Sequence, residues 1–348
     1  MRILAVLVGA ALLFSCGKQQ TPRFERLDAS TTGIDFNNEV LEKDTFNIMR
    51  NEYMYNGGGV GVADLNNDGL QDLVFTGNKV KSRIYLNQGG FQFKDITDHF
   101  EGLDDKQWLS GVALVDVNAD GWNDLYFTST MSNDSLLRKN QLWVNQKLGA
   151  DKLPSFKEMA ADYGIADMGH TMNAAFLDYD LDGDLDLYIL NNKVGQEVPT
   201  NYHIKKTDGS AINNDAFYRN EGNGKFTNVT KEAGITVEGF GLGIAVGDIN
   251  KDGYPDLYIS NDYVSNDLLY LNQRNGSFKN EIKDYMSYQS RFSMGNDMAD
   301  VNNDGYLDVM TMDMMPEAYF RKKQTINGNS YNIYDNNRKF GYEPAPLV

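Results

Sequence analysis

Short apolar stretches separated by polar turns run along most of this chain, and they recur in pairs on either side of an acidic loop. Stretches rich in glycine, alanine and apolar residues precede four loops, at 58–63, 110–115, 173–177 and 241–247. Bulky apolar stretches follow five loops, at 73–76, 125–128, 187–190, 257–260 and 309–311. Small residues permit close backbone approach, and β-branched or aromatic residues suit the middle of a sheet. We predict an innermost strand before each loop and a second strand after it.

Two further strands are predicted in four of the copies. The third strand covers 84–87, 142–145, 217–220 and 269–272, and each of these ends in asparagine. The fourth follows a Gly or Asn turn and is opened by Phe93, Phe156, Phe226 or Phe278. No helical period of 3.6 residues competes over any long segment. Four strands joined by turns and repeated along the chain predict an all-β fold, a β-propeller of four-stranded blades.

The acidic loops share the pattern D-x-[ND]-x-D-G-x-x-D, and their first residues are Asp64, Asp116, Asp178, Asp248 and Asp300. Successive loops begin 52, 62, 70 and 52 residues apart, which is the length of a propeller blade. Oxygen side chains at positions 1, 3, 5 and 9, with glycine at position 6 for the sharp turn, are what a hard cation such as calcium requires. A plain acidic turn does not require aspartate at position 9 in every copy. The spacing therefore predicts a calcium loop between the first and second strands of each blade.

Composition and charge agree with this interpretation. The 348 residues are 41% hydrophobic and 23% charged, as in ordinary globular proteins. The formal net charge is −17, and the five loops together contain seventeen aspartates. Five bound divalent cations would offset ten of these charges, so the acidity is explained by metal sites. Phosphate contacts need clustered Lys and Arg, and no basic stripe is present, so nucleic acid is excluded as a partner.

The N-terminus predicts export. Met1 and Arg2 precede an apolar run over 3–14 that is shorter than the ~20 residues of a membrane-spanning helix. The run ends in Leu-Phe-Ser-Cys-Gly, which resembles the lipobox of bacterial lipoproteins. We expect residues 1–16 to be a signal peptide with Cys16 as the lipidated residue, 17–23 a tether and 24–348 the propeller. The expected location is the outer membrane or the cell surface, with the lipid as membrane anchor; the alternative is an uncleaved anchor with an idle cysteine.

The two ends of the repeat region suggest an unfinished ring. Gly33 and Ile34 follow Phe24 at the spacing that separates Phe93 from Gly102 and Leu103, so 24–34 is predicted to act as the outer strand of a preceding blade. After Met312 the sequence contains no further loop of this pattern. We expect five loop-bearing blades here, about seven in the full ring, and a natural product longer than this chain.

Two insertions lie between the predicted second and third strands, at 131–140 and at 193–215. Insertions at an equivalent position fall on one face of a propeller, and that face often binds the partner. The alternative is surface decoration without a role. Three aromatic residues near the insertions, Trp108, Tyr202 and Tyr263, are candidates for stacking on sugar rings.

The chain resembles the FG-GAP, or VCBS-type, repeat family, whose calcium-binding propeller also forms the head of the integrin α subunit. The resemblance covers roughly Gly58 to Asp313. Runs at 55–60, 241–243 and 292–297 are similar to secreted bacterial relatives of cartilage acidic protein. The resemblance implies calcium bound in the loops, on the face opposite the main ligand, and it implies no particular ligand.

The calcium ligands implied for each loop are side-chain oxygens plus the carbonyl of position 7. They are Asp64, Asn66, Asp68, Leu70 and Asp72; Asp116, Asn118, Asp120, Trp122 and Asp124; Asp178, Asp180, Asp182, Asp184 and Asp186; Asp248, Asn250, Asp252, Tyr254 and Asp256; and Asp300, Asn302, Asp304, Tyr306 and Asp308. The third loop carries the most negative charge and is expected to bind calcium most tightly. Lys251 is expected to weaken the fourth loop slightly.

Three functions are compatible with these residues. The first is an adhesion module that binds an extracellular glycan or protein. The second is a calcium-dependent polysaccharide lyase or hydrolase, and the third is a structural domain that presents another part of the protein. His99, His170 and His203 have no triad or metal-ligand spacing, and we assign no catalytic residue. His170 would serve best as a base, since it is predicted to precede an innermost strand near the axis.

Overall fold

The computed structural model describes residues 24–348 except 101, 104, 196, 197, 199, 315, 326–330, 345 and 348. The predicted signal peptide, Cys16 and the tether lie outside the described residues. No helix within the described part of the chain is long and apolar enough to cross a membrane.

Four antiparallel sheets of four strands each form the body of the protein, and every strand predicted for them is confirmed. Their bounds are β1 Val60–Ala63, β2 Asp72–Phe75, β3 Arg83–Asn87 and β4 Phe93–Asp95; β5 Trp108–Val115, β6 Asp124–Thr130, β7 Gln141–Leu148 and β8 Pro154–Glu158; β9 Thr171–Leu177, β10 Asp186–Asn191, β11 Ala216–Asn220 and β12 Phe226–Asn228; and β13 Gly241–Gly247, β14 Asp256–Asn261, β15 Leu268–Asn272 and β16 Phe278–Asn280. Within each sheet the strands pair in chain order. The fold is therefore the predicted all-β, propeller-like one.

The innermost strands lie side by side in chain order. A Cβ atom placed on Gly59 of the first repeat would lie 2.8 Å from the Cα of Gly111 in β5. The fifth repeat supplies the pair β18 Ser293–Ala299 and β19 Asp308–Asp313, preceded by β17 Gln289–Ser290. Gly243 of β13 meets Gly295 of β18 in the same close way, at 2.9 Å. Glycine is required there because a side chain would separate the backbones. The described strands do not close into a ring.

The core lies between neighbouring sheets. Val74, Ile84 and Phe127 belong to a buried cluster between the first and second sheets, and two equivalent clusters lie between the second and third and between the third and fourth. Tyr126, Tyr188 and Tyr270 are among the largest fully buried side chains. Burying one apolar side chain of the size of valine to phenylalanine contributes about 1.5–3 kcal/mol. Because these clusters lie between sheets, each blade is stabilised mainly by its neighbours.

The segment before the first sheet repeats a motif found between later sheets. Helix α1, Ala29–Thr32, ends at Gly33, as α2, Ala160–Tyr163, ends at Gly164, both with left-handed backbone. A Cβ on Gly33 would meet the carbonyl oxygen of Phe93, and one on Gly164 that of Phe226. The prediction of an outer strand starting at Phe24 is wrong, however. Phe24 is 91% exposed and lies outside any strand, because a strand needs a partner for its ladder.

Helices near the C-terminus were not predicted. They are α4 Tyr319–Thr325 and α5 Tyr331–Phe340, preceded by the short α3 Ile282–Tyr285 and followed by β20 Pro346–Leu347, which pairs in parallel with β17. The ring of Phe340 stacks on Tyr202 of the second insertion, with centroids 6.3 Å apart. Tyr342 is 1% exposed and lies edge-on to the same tyrosine. The C-terminal segment is thus held by tertiary packing, which a local pattern does not reveal.

Candidate metal centres in the acidic loops

All five loops adopt one backbone conformation. Glycine at position 6 has φ between 84° and 96° in every copy, in the left-handed region that the sequence analysis assigned to a sharp turn. Position 4 is left-handed as well, although it is occupied by Asn67, Ala119, Leu181, Lys251 and Asn303. This second left-handed residue was not predicted, because alanine, leucine and lysine give no signal for it. The loop geometry is therefore set by more than the glycine.

The carboxylate at position 1 holds each loop closed. In the first loop Asp64 Oδ1 accepts the N–H of Asp68 at 3.2 Å, and Oδ2 accepts the N–H of Gly69 at 2.8 Å. The same two bonds recur in the other four loops at 2.8–3.1 Å. A carboxylate oxygen keeps further lone pairs after one such bond, so these oxygens can still bind a cation.

The aspartate at position 9 joins the loop to the third strand of its blade. Asp72 Oδ2 accepts the N–H of Leu65 and Oδ1 accepts the N–H of Asn87, both at 2.8 Å. Asp124, Asp186 and Asp256 make the same pair of bonds. Burial raises the pKa of Asp72 and Asp124 to about 6 and that of Asp186 to about 7, although the two N–H groups oppose the shift. A nearby cation would stabilise the charged form that burial disfavours.

The third loop brings three carboxylates together. Asp178, Asp180 and Asp186 place one oxygen each within 4.8 Å of the others. Asp180 Oδ1 is buried and has no hydrogen-bond partner, and burial raises the pKa of this carboxyl. A hard divalent cation is the group that fits such a set of oxygens, since three close carboxylates repel each other without one. Asp182 and Asp184 are outside this group; Asp182 Oδ1 instead accepts the N–H of Asp184 at 2.9 Å.

Basic side chains reach some of the other loops. Arg274 Nε lies 3.0 Å from Asp252 Oδ2 in the fourth loop, and Lys147 Nζ lies 3.7 Å from Asp120 Oδ2 in the second. Lys251 belongs to the fourth loop, yet its Nζ lies 3.4 Å from the ring centroid of Tyr306 in the fifth. The structure therefore places the charge of Lys251 at the fifth loop, and Arg274 pairs with Asp252, one of the ligands predicted for the fourth.

The asparagine that ends each third strand was noted in the sequence but given no role. Asn145 Nδ2 donates to the carbonyl of Leu65, in the loop of the preceding blade, at 3.0 Å. Asn272 Nδ2 donates in the same way to Tyr179 at 2.7 Å. These residues are almost fully buried, so each bond ties one loop to the next blade without competition from water. The signal that could have revealed them is the recurrence of asparagine at one position of four strands.

The profile of the FG-GAP-like repeat family matches residues 64–127, 116–189, 207–259 and 248–311, about two thirds of the chain. The chain belongs to the FG-GAP-like repeat family. Each matched segment begins at or before one acidic loop and ends in a later second strand, so the loops and their flanking strands carry the match.

Two kinds of relative align with these repeats. Cartilage acidic protein 1 of Xenopus tropicalis is 26% identical over 271 residues, which cover 72% of this chain and 39% of that protein. A T-cell immunomodulatory protein homolog of Plasmodium yoelii yoelii is 24% identical over 319 residues, covering 77% and 44%. The chain thus spans about two fifths of the length of the curated relatives it matches. Among solved structures, an Agrocybe aegerita lectin that recognises non-reducing terminal N-acetylglucosamine aligns at 17% identity over 73% of this chain and 60% of that one, with a TM-score of 0.42.

On the face opposite the loops, the aromatic residues make contacts that the sequence did not predict. Trp108 is 3% exposed, so its selection as a sugar-stacking residue is wrong; it opens β5 and packs against Phe46. Tyr202 packs against the C-terminal segment, and the hydroxyl of Tyr263 donates to Glu52. Of the histidines, His99 lies 3.6 Å from Asp151, His203 lies 2.9 Å from Glu238, and His170 immediately precedes β9 as predicted.

Two buried carboxyl groups far from the loops predict a pH dependence of stability. Asp215 accepts the hydroxyl of Tyr188 at 2.6 Å and the N–H of Asn191 at 2.8 Å, and Asp267 bonds Tyr258 and Asn261 in the same way. Burial raises the pKa of Asp215 to about 7 and that of Asp267 to about 6. The folded state therefore binds protons more tightly than the unfolded chain between roughly pH 4 and 7.

We expect the free energy of unfolding to fall as pH rises from 5 to 7.5 at saturating calcium, by on the order of 2 kcal/mol for Asp215. Urea denaturation across this range measures it. Asp215→Asn is expected to flatten the slope, because the amide does not titrate, while Asp208→Asn, at an exposed carboxyl of the insertion, leaves it unchanged. Equal slopes in the wild type and Asp215→Asn would contradict the assignment.

Proposed function

We propose that this chain is a calcium-stabilised binding module, exported as a lipoprotein, that carries its ligand on the face opposite the acidic loops. The observation that carries the calcium role is the third loop, where three carboxylates converge and Asp180 Oδ1 has no hydrogen-bond partner. The cation would be held by the position 1, 3, 5 and 9 side chains, and it would neutralise carboxylates that lie close together. The ion acts as a structural ligand, fixing the turn between the first two strands of each blade.

The five sites differ in expected affinity. The third loop has the most carboxylates and remains our choice for the tightest site. The fourth is expected to be weaker, because Arg274 already pairs with Asp252. The fifth has Lys251 over Tyr306 and lacks a third strand to fix Asp308 in the described residues, so it is expected to be the weakest.

The face opposite the acidic loops supports binding as the activity. The insertions at 131–140 and 193–215 both lie between second and third strands, and residues 131, 133 and 193–195 line the same cavity. Loop segments on a rigid scaffold that converge on one cavity are typical of binding sites. The proposed ligand is an extracellular glycan or protein.

A glycan array, probed with the chain at 5 mM calcium and again in EGTA, tests this function. We expect retained binding to a defined set of glycans in calcium, weakened in EGTA because the blades loosen. Product analysis on each hit should show intact saccharide. New reducing ends or unsaturated products would instead support a lyase or hydrolase, and the absence of any glycan or protein ligand would contradict the binding role.

A further inference from the structure

A cavity of about 430 Å³ opens on the face opposite the acidic loops. Residues 45–53 form its roof. This roof segment is attached at two distant places: the ring of Phe46 packs on Trp108 of the second sheet at 5.5 Å, and Tyr53 Oη donates to Asp262 Oδ2 at the end of the fourth sheet at 3.1 Å. The cavity volume lies within the ~300–1,000 Å³ in which proteins bury small ligands. The roof segment, both insertions and the start of β9 therefore build one open cavity.

The charge of this cavity is opposite to that of the protein. Among the described residues, Arg50 and Lys193 are its positively charged side chains, whereas the chain carries a net charge of −17. Glu52 is the acidic residue of the described part of the lining, and its Oε2 accepts the hydroxyl of Tyr263. Asp262 lies behind Tyr53 and is buried. An anionic group entering the cavity would meet the guanidinium of Arg50, whose planar donors suit a carboxylate or sulfate.

One buried polar atom of the lining has no partner. Asn192 is 2% exposed and donates through Nδ2 to the carbonyl of Gly241 at 3.2 Å. Its Oδ1 is buried without a hydrogen-bond partner. Leaving a buried acceptor unpaired costs about 1–3 kcal/mol, so such atoms in native structures call for an explanation. The atom has almost no accessible surface, so a ligand hydroxyl would donate to it once the side chain turns toward the cavity.

The rest of the lining matches a polyhydroxylated ligand. Asn51, Asn133 and Thr130 offer amide and hydroxyl groups, which can each donate and accept, as sugar hydroxyls require. Phe46 and Met172 supply an apolar wall. A second cavity of about 440 Å³ lies near the axis, and Met172 lines both cavities. This combination of few charges, many neutral polar groups and an apolar wall favours a saccharide over a peptide.

We propose that this cavity binds an acidic saccharide, with Arg50 contacting its carboxylate or sulfate and Asn192 Oδ1 accepting a sugar hydroxyl. The proposal rests on the binding role proposed above and names its site and ligand class. It needs no calcium in the cavity, since the acidic loops lie at the opposite ends of the innermost strands.

Isothermal titration of the full chain at saturating calcium tests the proposal with four probes: tetragalacturonate, its methyl ester, a sulfated galactan tetrasaccharide and its desulfated form. Binding of tetragalacturonate with at least tenfold preference over the ester identifies a carboxylate as the recognised group, and the equivalent preference in the galactan pair identifies a sulfate. Arg50→Gln is expected to weaken the preferred probe at least tenfold. Arg83→Gln, which removes an equal charge from a half-buried residue of β3 outside the cavity lining, is expected to change affinity less than twofold.

Asn192→Ser provides a second, independent variant. It is expected to weaken binding of the acidic probe and of its neutral form by the same factor. Thermal melting checks that this variant keeps the fold. Equal affinity for acidic and neutral probes, or equal losses in Arg50→Gln and Arg83→Gln, would overturn the site while leaving the binding role intact. Binding of peptides but of no saccharide would likewise overturn the ligand class. A chain that binds nothing on the array fails the binding role first, so the two failures are distinguishable.

Discussion

Removing calcium is expected to lower the melting temperature of this chain by at least about 10 °C. Extracellular calcium sites have dissociation constants of ~10⁻⁴–10⁻³ M, so 10 mM calcium would stabilise each occupied loop by roughly 1.4–2.7 kcal/mol. One kcal/mol corresponds to about 2–4 °C for a domain of 150–250 residues. Five occupied loops acting on one cooperative unit would contribute roughly 7–14 kcal/mol, which corresponds to more than about 10 °C even at the lower end of both ranges. Each loop forms the turn between the first two strands of a blade, so the loss of its ion is expected to loosen the blade directly.

Differential scanning calorimetry in 10 mM calcium and in excess EGTA, at constant ionic strength, measures this difference. Magnesium at 10 mM is the control. It demands near-octahedral geometry and gives up water reluctantly, so it should restore less than half of the lost stability. An unchanged melting curve in chelator would contradict the structural role of the ion.

Replacing Asp124 by alanine is expected to destabilise the fold by about 3–5 kcal/mol. Asp124 is fully buried and accepts the N–H groups of Val117 and Asn145 at 3.0 and 2.7 Å. Alanine leaves both donors in the interior without a partner, at about 1–3 kcal/mol each. It also opens a cavity between the loop and β7, into which the chain can relax only partly.

Asp308→Ala is the matched control, because Asp308 holds position 9 of the fifth loop and makes one such bond, to Val301 at 3.2 Å. Both variants remove a proposed calcium ligand from position 9, and in excess EGTA, where neither loop holds an ion, their difference isolates the buried hydrogen bonds. Urea denaturation should give a loss at least about 2 kcal/mol larger for Asp124→Ala. Equal losses would show that position 9 acts only through the metal.

The sequence predicted the strands because each feature they need is local. Alternation of small and bulky apolar stretches around a recurring loop identifies both inner strands, and a repeated Phe marks the outer one. Phe156 shows the limit of this signal: it lies in the middle of β8, which begins at Pro154, because β7 continues to Leu148 past the predicted end. The presence and order of the strands could therefore be predicted from the sequence, whereas their boundaries depend on the partner strand.

The candidate sites divide in the same way. The loop residues, including the glycine at position 6, could be chosen from spacing alone, since the turn and its oxygens lie within nine residues. The second role of Asp72, as acceptor for Asn87 across fifteen residues, could not, because it depends on how β3 folds back. The cavity lined by the roof segment, residues 45–53, could not be predicted from the sequence either. Its position is set by Tyr53 reaching Asp262, a contact between residues 209 apart.

Equilibrium dialysis against radioactive calcium tests the central claim most directly, since it counts the ions that the folded chain holds. At 5 mM free calcium we predict between four and five ions per chain. Asp180→Ala should remove one ion with the highest affinity, and Asp208→Ala, outside the loops, should remove none. Binding of less than one ion per chain, or the same number and affinity in the wild type and Asp180→Ala, would contradict it.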